Sequence, residues 1–231
     1  MQDYSSYQLF SKEKLGVAFK DIQLLVTAFT HRSYVNEHRK TARQHNERLE
    51  FLGDAVLELV VTEYLYSNFT DPEGILTNWR SALVRTESIS AAAARDQLEP
   101  LLRLSRGEKR GSARARAQIL ANTYEAVIGA LYLDQGYDVT KEYISKSLLS
   151  TFQGILDSGS WMDSKSRLQE LAQSKEGFTP VYKVLTEEGP DHEKQFTVGV
   201  FISNELRGTG MGPSKQIGQQ EAAQQALRFY K

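Results

Sequence analysis

The spacing of apolar residues changes once along the chain. Before Asp157, apolar positions recur three and four apart, which is the helical interval. Ile22, Leu25, Ala28 and Phe29 make one such stripe. The pattern predicts a long helix from about Asn46 to Asn68 and a turn at Asp71-Pro72-Glu73-Gly74. Further helix follows around Ala82, Leu83, Ile89 and Ala93, with an interruption at Pro100. Gln118 to Leu133 is apolar and free of proline and predicts a central helix. Lys141 to Leu156 predicts an amphipathic one, and no strand pattern appears before Asp157.

Beyond that point the period shortens. Asp157-Ser158-Gly159-Ser160 reads as a short flexible linker. Ser164 to Ser174 predicts a helix with Ser164 as its N-cap. Val181 to Leu185 reads as a strand, and Phe196, Val198, Val200 and Ile202 alternate with a period of two. Glu205 to Gly212 suits a third strand. Ser214 then caps a last helix whose apolar stripe is Ala222, Ala223, Ala226, Leu227 and Tyr230. The expected fold is an all-α domain over 1–157 followed by a small α+β domain of order α-β-β-β-α over 158–231.

Composition narrows the chemistry. The chain of 231 residues contains no cysteine, which excludes disulfides and thiolate metal sites. No apolar run approaches the roughly 20 residues that span a bilayer, and the polar N-terminus lacks a signal-peptide core, so no membrane partner and a cytoplasmic location are expected. Charge is balanced in both parts: 19 Lys+Arg against 20 Asp+Glu over 1–157, and 9 against 9 over 158–231. Any phosphate binding must therefore come from local clusters. The densest is Arg103, Arg106, Lys109, Arg110, Arg114 and Arg116, which reads either as a solvated loop or as a segment that folds against a phosphate backbone.

The helix at 46–68 carries the most chemistry. At about 100° per residue, Glu47, Glu50, Asp54 and Glu58 fall within roughly 80° of arc, while Leu49, Leu52, Val56, Leu57, Val60 and Val61 fill most of the remainder. Such a stripe is either a solvated acidic face or an oxygen-rich site for a hard divalent cation. His31, His38, His45 and His192 show no metal-ligand spacing, and no nucleophile triad is visible. An acidic, metal-dependent site is the chemistry left.

The order of residues adds to this. Asn46-Glu47-Arg48-Leu49-Glu50-Phe51-Leu52-Gly53-Asp54 resembles the defining motif of the ribonuclease III family. Ala28 to Tyr34, Asp71 to Gly74 with Arg80 to Val84, and Ile119 to Gly129 are similar to its other motifs. The C-terminal segment resembles a double-stranded-RNA-binding domain. The resemblance runs from about Phe10 to Tyr230.

It implies an endoribonuclease that hydrolyses phosphodiester bonds of double-stranded RNA, leaving 5′-phosphate and 3′-hydroxyl ends, in processing of structured precursor rRNA and mRNA. Two Mg²⁺ per site are implied, with Mn²⁺ able to substitute. Metal positions match Glu50, Asp54, Asn122 and Glu125, with Asp54 and Glu125 also catalytic; Glu47 and Glu73 match auxiliary acidic positions. A homodimer is implied, and Phe51 matches the residue that packs across its interface. From the residues alone Phe51 also reads as an ordinary core phenylalanine. RNA-binding positions match Ser166, Gln169, Glu170, His192 and Lys215.

Two features depart from the family pattern. Asn122 stands where aspartate is usual, so it brings an amide dipole where the pattern has a charge. An active variant and a duplex-binding protein with little cleavage are the alternatives this leaves. In the second domain, Gln216 and Gln219 stand where lysines are common, and Gly218 interrupts the last helix.

Overall fold

The helical period before Asp157 is realised as α1 (Ser5–Glu13), α2 (Ile22–Ala28), α3 (Arg32–Glu37), α4 (Glu47–Asn68), α5 (Glu73–Val84), α6 (Thr86–Arg95), α7 (Ala113–Gln135), α8 (Tyr137–Ser147) and α9 (Phe152–Ser158). The computed structural model describes residues 4–159, 161–190 and 193–230. They divide into two compact units, 1–161 and 162–231.

In the first unit α7 is the axis. Tyr124, Val127, Ile128 and Leu131 are fully buried on it, and Leu57, Val60 and Val61 of α4 are equally sealed. A helix apolar on nearly every side must be surrounded. Here α4, α6 and α2 all pack against α7. Its polar groups inside the core are satisfied: the Tyr124 hydroxyl pairs with Ser147 Oγ, and the Ser147 carbonyl accepts from Arg95 at 2.7 Å. Asp134 accepts from the backbone N–H groups of Lys20 and Asp21 at 2.9 and 2.8 Å, pinning that segment to the end of α7. An aromatic cluster of Phe69, Trp79, Phe152 and Trp161 closes the far side, with Trp161 edge-on to Trp79 at 5.9 Å.

Five boundaries differ from the sequence pattern for local reasons. Glu73 and Gly74 are not a turn but the first residues of α5, with Pro72 as the residue before the helix. The central helix begins at Ala113 because Ser112 Oγ accepts from the Ala115 N–H at 3.2 Å. Arg114 and Arg116 are therefore helical. The amphipathic helix expected over 141–156 starts at Tyr137, directly after Gly136 at φ +86°. It then breaks at Leu148, where Ser150 and Thr151 hydroxyls bond back to the carbonyls of Lys146 and Leu148 at 2.7 Å. Finally, the cap of the 164 helix is Asp163 and not Ser164: its carboxylate accepts from the N–H groups of Lys165 and Ser166 at 3.0 and 3.2 Å.

The second unit is α10 (Ser164–Glu176), β1 (Val181–Glu188), β2 (Gln195–Ile202), β3 (Glu205–Gly212) and α11 (Lys215–Ala226). The strands form one antiparallel sheet in the order β1-β2-β3. Val200 and Ile202 of β2 join Leu168, Ala172, Ala222, Ala223 and Ala226 in a small core. Small residues let α11 lie close on the sheet. A Cβ on Gly218 would stand 2.9 Å from Val198 Cγ2, and one on Gly210 would stand 2.4 Å from the Gly218 carbonyl oxygen. The glycine inside the last helix is thus set by close packing, which outweighs its cost of about 1 kcal/mol in helix propensity.

Candidate active site

The crossing of α4 and α7 builds the site. A Cβ on Gly53 would lie 1.8 Å from the carbonyl oxygen of Glu125, and one on Gly129 would lie 2.2 Å from that of Leu49. The two backbones therefore touch at these glycines. Glu50 and Asp54 flank Gly53 on α4, and Glu125 and Asn122 lie about one and two turns before Gly129 on α7. The contact brings the four polar side chains to the same crossing.

Their charges are strongly coupled. Burial, then the neighbouring Asp54 and Glu50 carboxylates, push the Glu125 carboxyl up to about 8. The Glu50 carboxyl is also raised, first by burial, then by Glu47, with Asp54 adding a smaller push and a hydrogen bond from the Asn122 side chain acting against it. Like charges held in a half-buried cleft disfavour ionisation, and a cation would relieve them. Among the described residues no three or more His, Cys, Asp or Glu side chains are gathered closely enough to hold a metal ion. The donor set is nevertheless chemically suited to hard divalent ions, since it consists of carboxylate oxygens carried on two helices in backbone contact.

The other acidic positions sit differently. Glu47 lies at the rim, 3.6 Å from Arg32 and 3.7 Å from His45 Nδ1. Glu73 lines a cleft with Thr62, Tyr66 and Arg80. Thr62 and Tyr66 are 8 and 12 residues beyond Asp54, or about 12–18 Å along α4. Glu73 thus stands apart from the carboxylate cluster within this chain.

Phe51 is 83% exposed, so it is not a core residue. It lines a broad cleft with Leu24, Thr27, His45, Leu52 and Leu133. In the basic segment, Arg103 is engaged: its guanidinium stacks 4.4 Å over Tyr34 and donates to Thr30 at 3.1 Å. Arg116 pairs with Glu99 at 2.8 Å. Arg106, Lys109, Arg110 and Arg114 are exposed.

In the second unit, Ser166 and Gln169 line a polar cleft with Asp163, Tyr182, Gln216 and Gln220. Glu170 is exposed on the same helix. Lys215 stands at the start of α11, its Nζ 3.0 Å from Glu187 and 5.5 Å over the Phe196 ring. Gln219 accepts from Lys165 at 2.7 Å. His192 lies outside the described residues.

One partner of the site was missed in the sequence. Gln118 Nε2 donates to Asn122 Oδ1 at 2.7 Å. The available signal was its position four residues before Asn122, one helical turn away on the same face.

Comparisons with known proteins agree with this division. A ribonuclease-III-like family model matches residues 21–152, and a double-stranded RNA binding motif matches 164–230. Ribonuclease 3 of Enterococcus faecalis is 43% identical over 221 residues, 94% of each chain. That of Streptococcus gordonii is 44% identical over 216 residues, 93% of each. The nuclease domain of ribonuclease III from Campylobacter jejuni has been solved at 2.2 Å. It is 36% identical with a TM-score of 0.56, covering 66% of this chain and 97% of that one. Another structure of that domain, described for flexibility in a region involved in dimer formation, is 38% identical with a TM-score of 0.53, over 60% and 96%. The chain belongs to the ribonuclease III family: an endoribonuclease with a helical nuclease unit followed by a double-stranded RNA binding motif.

Proposed function

We propose that this chain is a Mg²⁺-dependent endoribonuclease that cuts double-stranded RNA to 5′-phosphate and 3′-hydroxyl ends. Its substrates are structured precursor rRNA and mRNA in the cytoplasm. The observation that carries the reading is the carboxylate cluster at the α4–α7 crossing, where burial and then the neighbouring Asp54 and Glu50 carboxylates push Glu125 up to about 8. Glu50, Asp54 and Glu125 would hold the ions, two per site, with Mn²⁺ able to replace Mg²⁺. Asn122 is the fourth candidate ligand, and Glu47 and Glu73 are auxiliary acidic groups. Bound there, the metal supplies activation of water and neutralisation of phosphate charge. The chain's own part is geometric: the glycine contact fixes both helices, and burial of Glu125 concentrates its charge on whatever neutralises it. Ser166, Gln169, Glu170, His192 and Lys215 would grip the duplex by its minor groove and phosphates. The working unit is a homodimer: Phe51, at 83% exposure, leaves a large apolar group in water beside an apolar-lined cleft that a second copy can cover.

A second reading is a duplex-binding protein with little cleavage. The Gln118 contact that occupies the Asn122 oxygen favours it. Incubating a labelled duplex with and without Mg²⁺ separates the two. The expected result is Mg²⁺-dependent cleavage that Glu125→Gln lowers at least 100-fold while leaving duplex binding within threefold. Cleavage by Glu125→Gln within a few-fold of the parent would refute the assignment of the site.

A further inference from the structure

The sheet of the second unit has β1 and β3 at its edges, and the two differ in what shields them. β1 carries Lys183, Glu187 and Glu188 and a bulge between Val184 and Thr186. Charged side chains and bulges both discourage the addition of another strand. From Gly208 to Gly212, β3 is uncharged and in regular register with β2, and its Leu206 and Met211 side chains are 50% and 58% exposed. Its outward backbone is occupied instead. The N–H and hydroxyl of Thr209 donate to Gln225 Oε1 at 2.5 and 3.2 Å, and the Met211 N–H donates to Glu221 Oε2 at 3.3 Å. Alternate residues of an antiparallel strand turn their N–H groups away from the paired neighbour, and Thr209 and Met211 are such residues of β3.

Close approach and matched spacing make this contact possible. A Cβ on Gly208 would stand 2.4 Å from the Ala222 carbonyl oxygen, and one on Gly210 would stand 2.3 Å from the Ala222 nitrogen, so α11 lies backbone to backbone on β3. Glu221 and Gln225 are four residues apart, about 6 Å along a helix. Thr209 and Met211 are two apart, about 6.8 Å along a strand. Helix and strand run in opposite directions, and the two acceptors fall in step with the two donors. We infer that Glu221 and Gln225 form a guard that closes the β3 edge against pairing with β3 of a second copy of this chain. The second copy is the partner excluded because it brings the same uncharged stretch and the same exposed Leu206 and Met211. Two such edges would join by backbone hydrogen bonds and cover each other's apolar side chains. The guard leaves self-association to other surfaces of the chain.

The test is the double variant Glu221→Ala/Gln225→Ala of the full-length protein. Alanine is the better helix former, so α11 itself is not weakened. Amide exchange at Thr209 and Met211 should rise about tenfold or more, while Gly210, whose N–H the ladder turns toward β2, should stay within about threefold of the parent. Sedimentation over a concentration series should show association beyond the parent's own oligomeric state. Two further variants tie that association to the edge. Glu221→Gln/Gln225→Glu keeps both acceptor oxygens and should sediment as the parent does. Met211→Lys, added to the double alanine, puts a charge on the strand and should reverse the association. Unchanged exchange at Thr209 and Met211, or sedimentation identical to the parent, would overturn the guard. So would association of the acceptor-swapped variant, or association that Met211→Lys leaves intact. Loss of protection at Gly210 as well would mean that these side chains hold the sheet together rather than close its edge, and would also overturn it.

Discussion

Replacing Gly53 with alanine adds one carbon at the contact that assembles the site. The new Cβ would stand 1.8 Å from the Glu125 carbonyl oxygen, 2.6 Å from its carbon and 2.8 Å from the Gly129 nitrogen. All three are backbone atoms of a buried helix, so no side chain can swing aside. Nonbonded carbon contacts sit near ~3.5 Å, so α4 and α7 must part by more than about 1 Å, and a gap of that size forfeits about half of a contact's dispersion energy. Overpacking typically costs about 1–3 kcal/mol and occasionally more, and a clash of backbone against backbone belongs at or above the upper end. Alanine returns about 1 kcal/mol of helix propensity. The net loss of roughly 2–3 kcal/mol corresponds to a fall in melting temperature of about 4–12 °C for a chain of this size. The same displacement separates Glu50 and Asp54 from Glu125, and a shift of about 1 Å at a reacting centre lowers rate by around 100-fold. Gly154 is the matched control. It lies in α9, and a Cβ there would meet nothing within 4 Å, so Gly154→Ala should be neutral or raise melting slightly. Circular dichroism melts and single-turnover cleavage of a short duplex measure both effects. Gly53→Ala melting within 1 °C of the parent would mean that the helices do not meet through their backbones, and the account of how the site is assembled would fall with it.

Two further outcomes are expected. In EDTA, Glu125 has a folded-state pKa of about 8, above its ordinary value of 4.5; the folded chain then holds a proton that the unfolded chain releases, so stability is fully present below about pH 4.5 and is lost as pH rises toward 8. Melting between pH 5 and 8 should show this decline and Glu125→Gln should flatten it; parallel slopes would contradict the assignment. Glu187 holds Lys215 at 3.0 Å, so under the proposed role of Lys215 it must yield that lysine to an RNA phosphate. Glu187→Gln should therefore tighten duplex binding about two- to fivefold at low salt, with the gain shrinking at high salt; unchanged or weaker binding in a gel-shift series would refute the competition.

The architecture was legible because its signals are local. The switch from a helical to a two-residue period near Asp157 separated α1–α9 from the sheet of β1–β3, and the carboxylate stripe of α4 was visible in its angular spacing. Boundaries were less legible because they turn on single hydrogen bonds. Ser112 and Asp163 each added or shifted a cap, and the hydroxyls of Ser150 and Thr151 divided an otherwise continuous amphipathic run. Phe51 could be read as core or as surface, since an apolar residue beside Leu49 and Leu52 carries no mark of which side it faces. Gly53 and Gly129 were harder still. They are far apart in the chain, each looks like an ordinary weak point in a helix, and only their crossing makes them the hinge on which four site residues meet.

Asn122 shows where a sequence stops being informative about chemistry. Its residue type establishes that charge is missing relative to aspartate, but an amide can act in two opposite ways: through oxygen it assists a cation, through nitrogen it assists an anion. Which end faces the carboxylates depends on what engages the other end. That partner is Gln118, an exposed residue whose only trace in the sequence is its place one turn earlier on α7. Gln118 takes the oxygen, which is the end of the amide that a hard cation would need. What the amide at position 122 can offer the acidic cluster therefore depends on a residue outside that cluster.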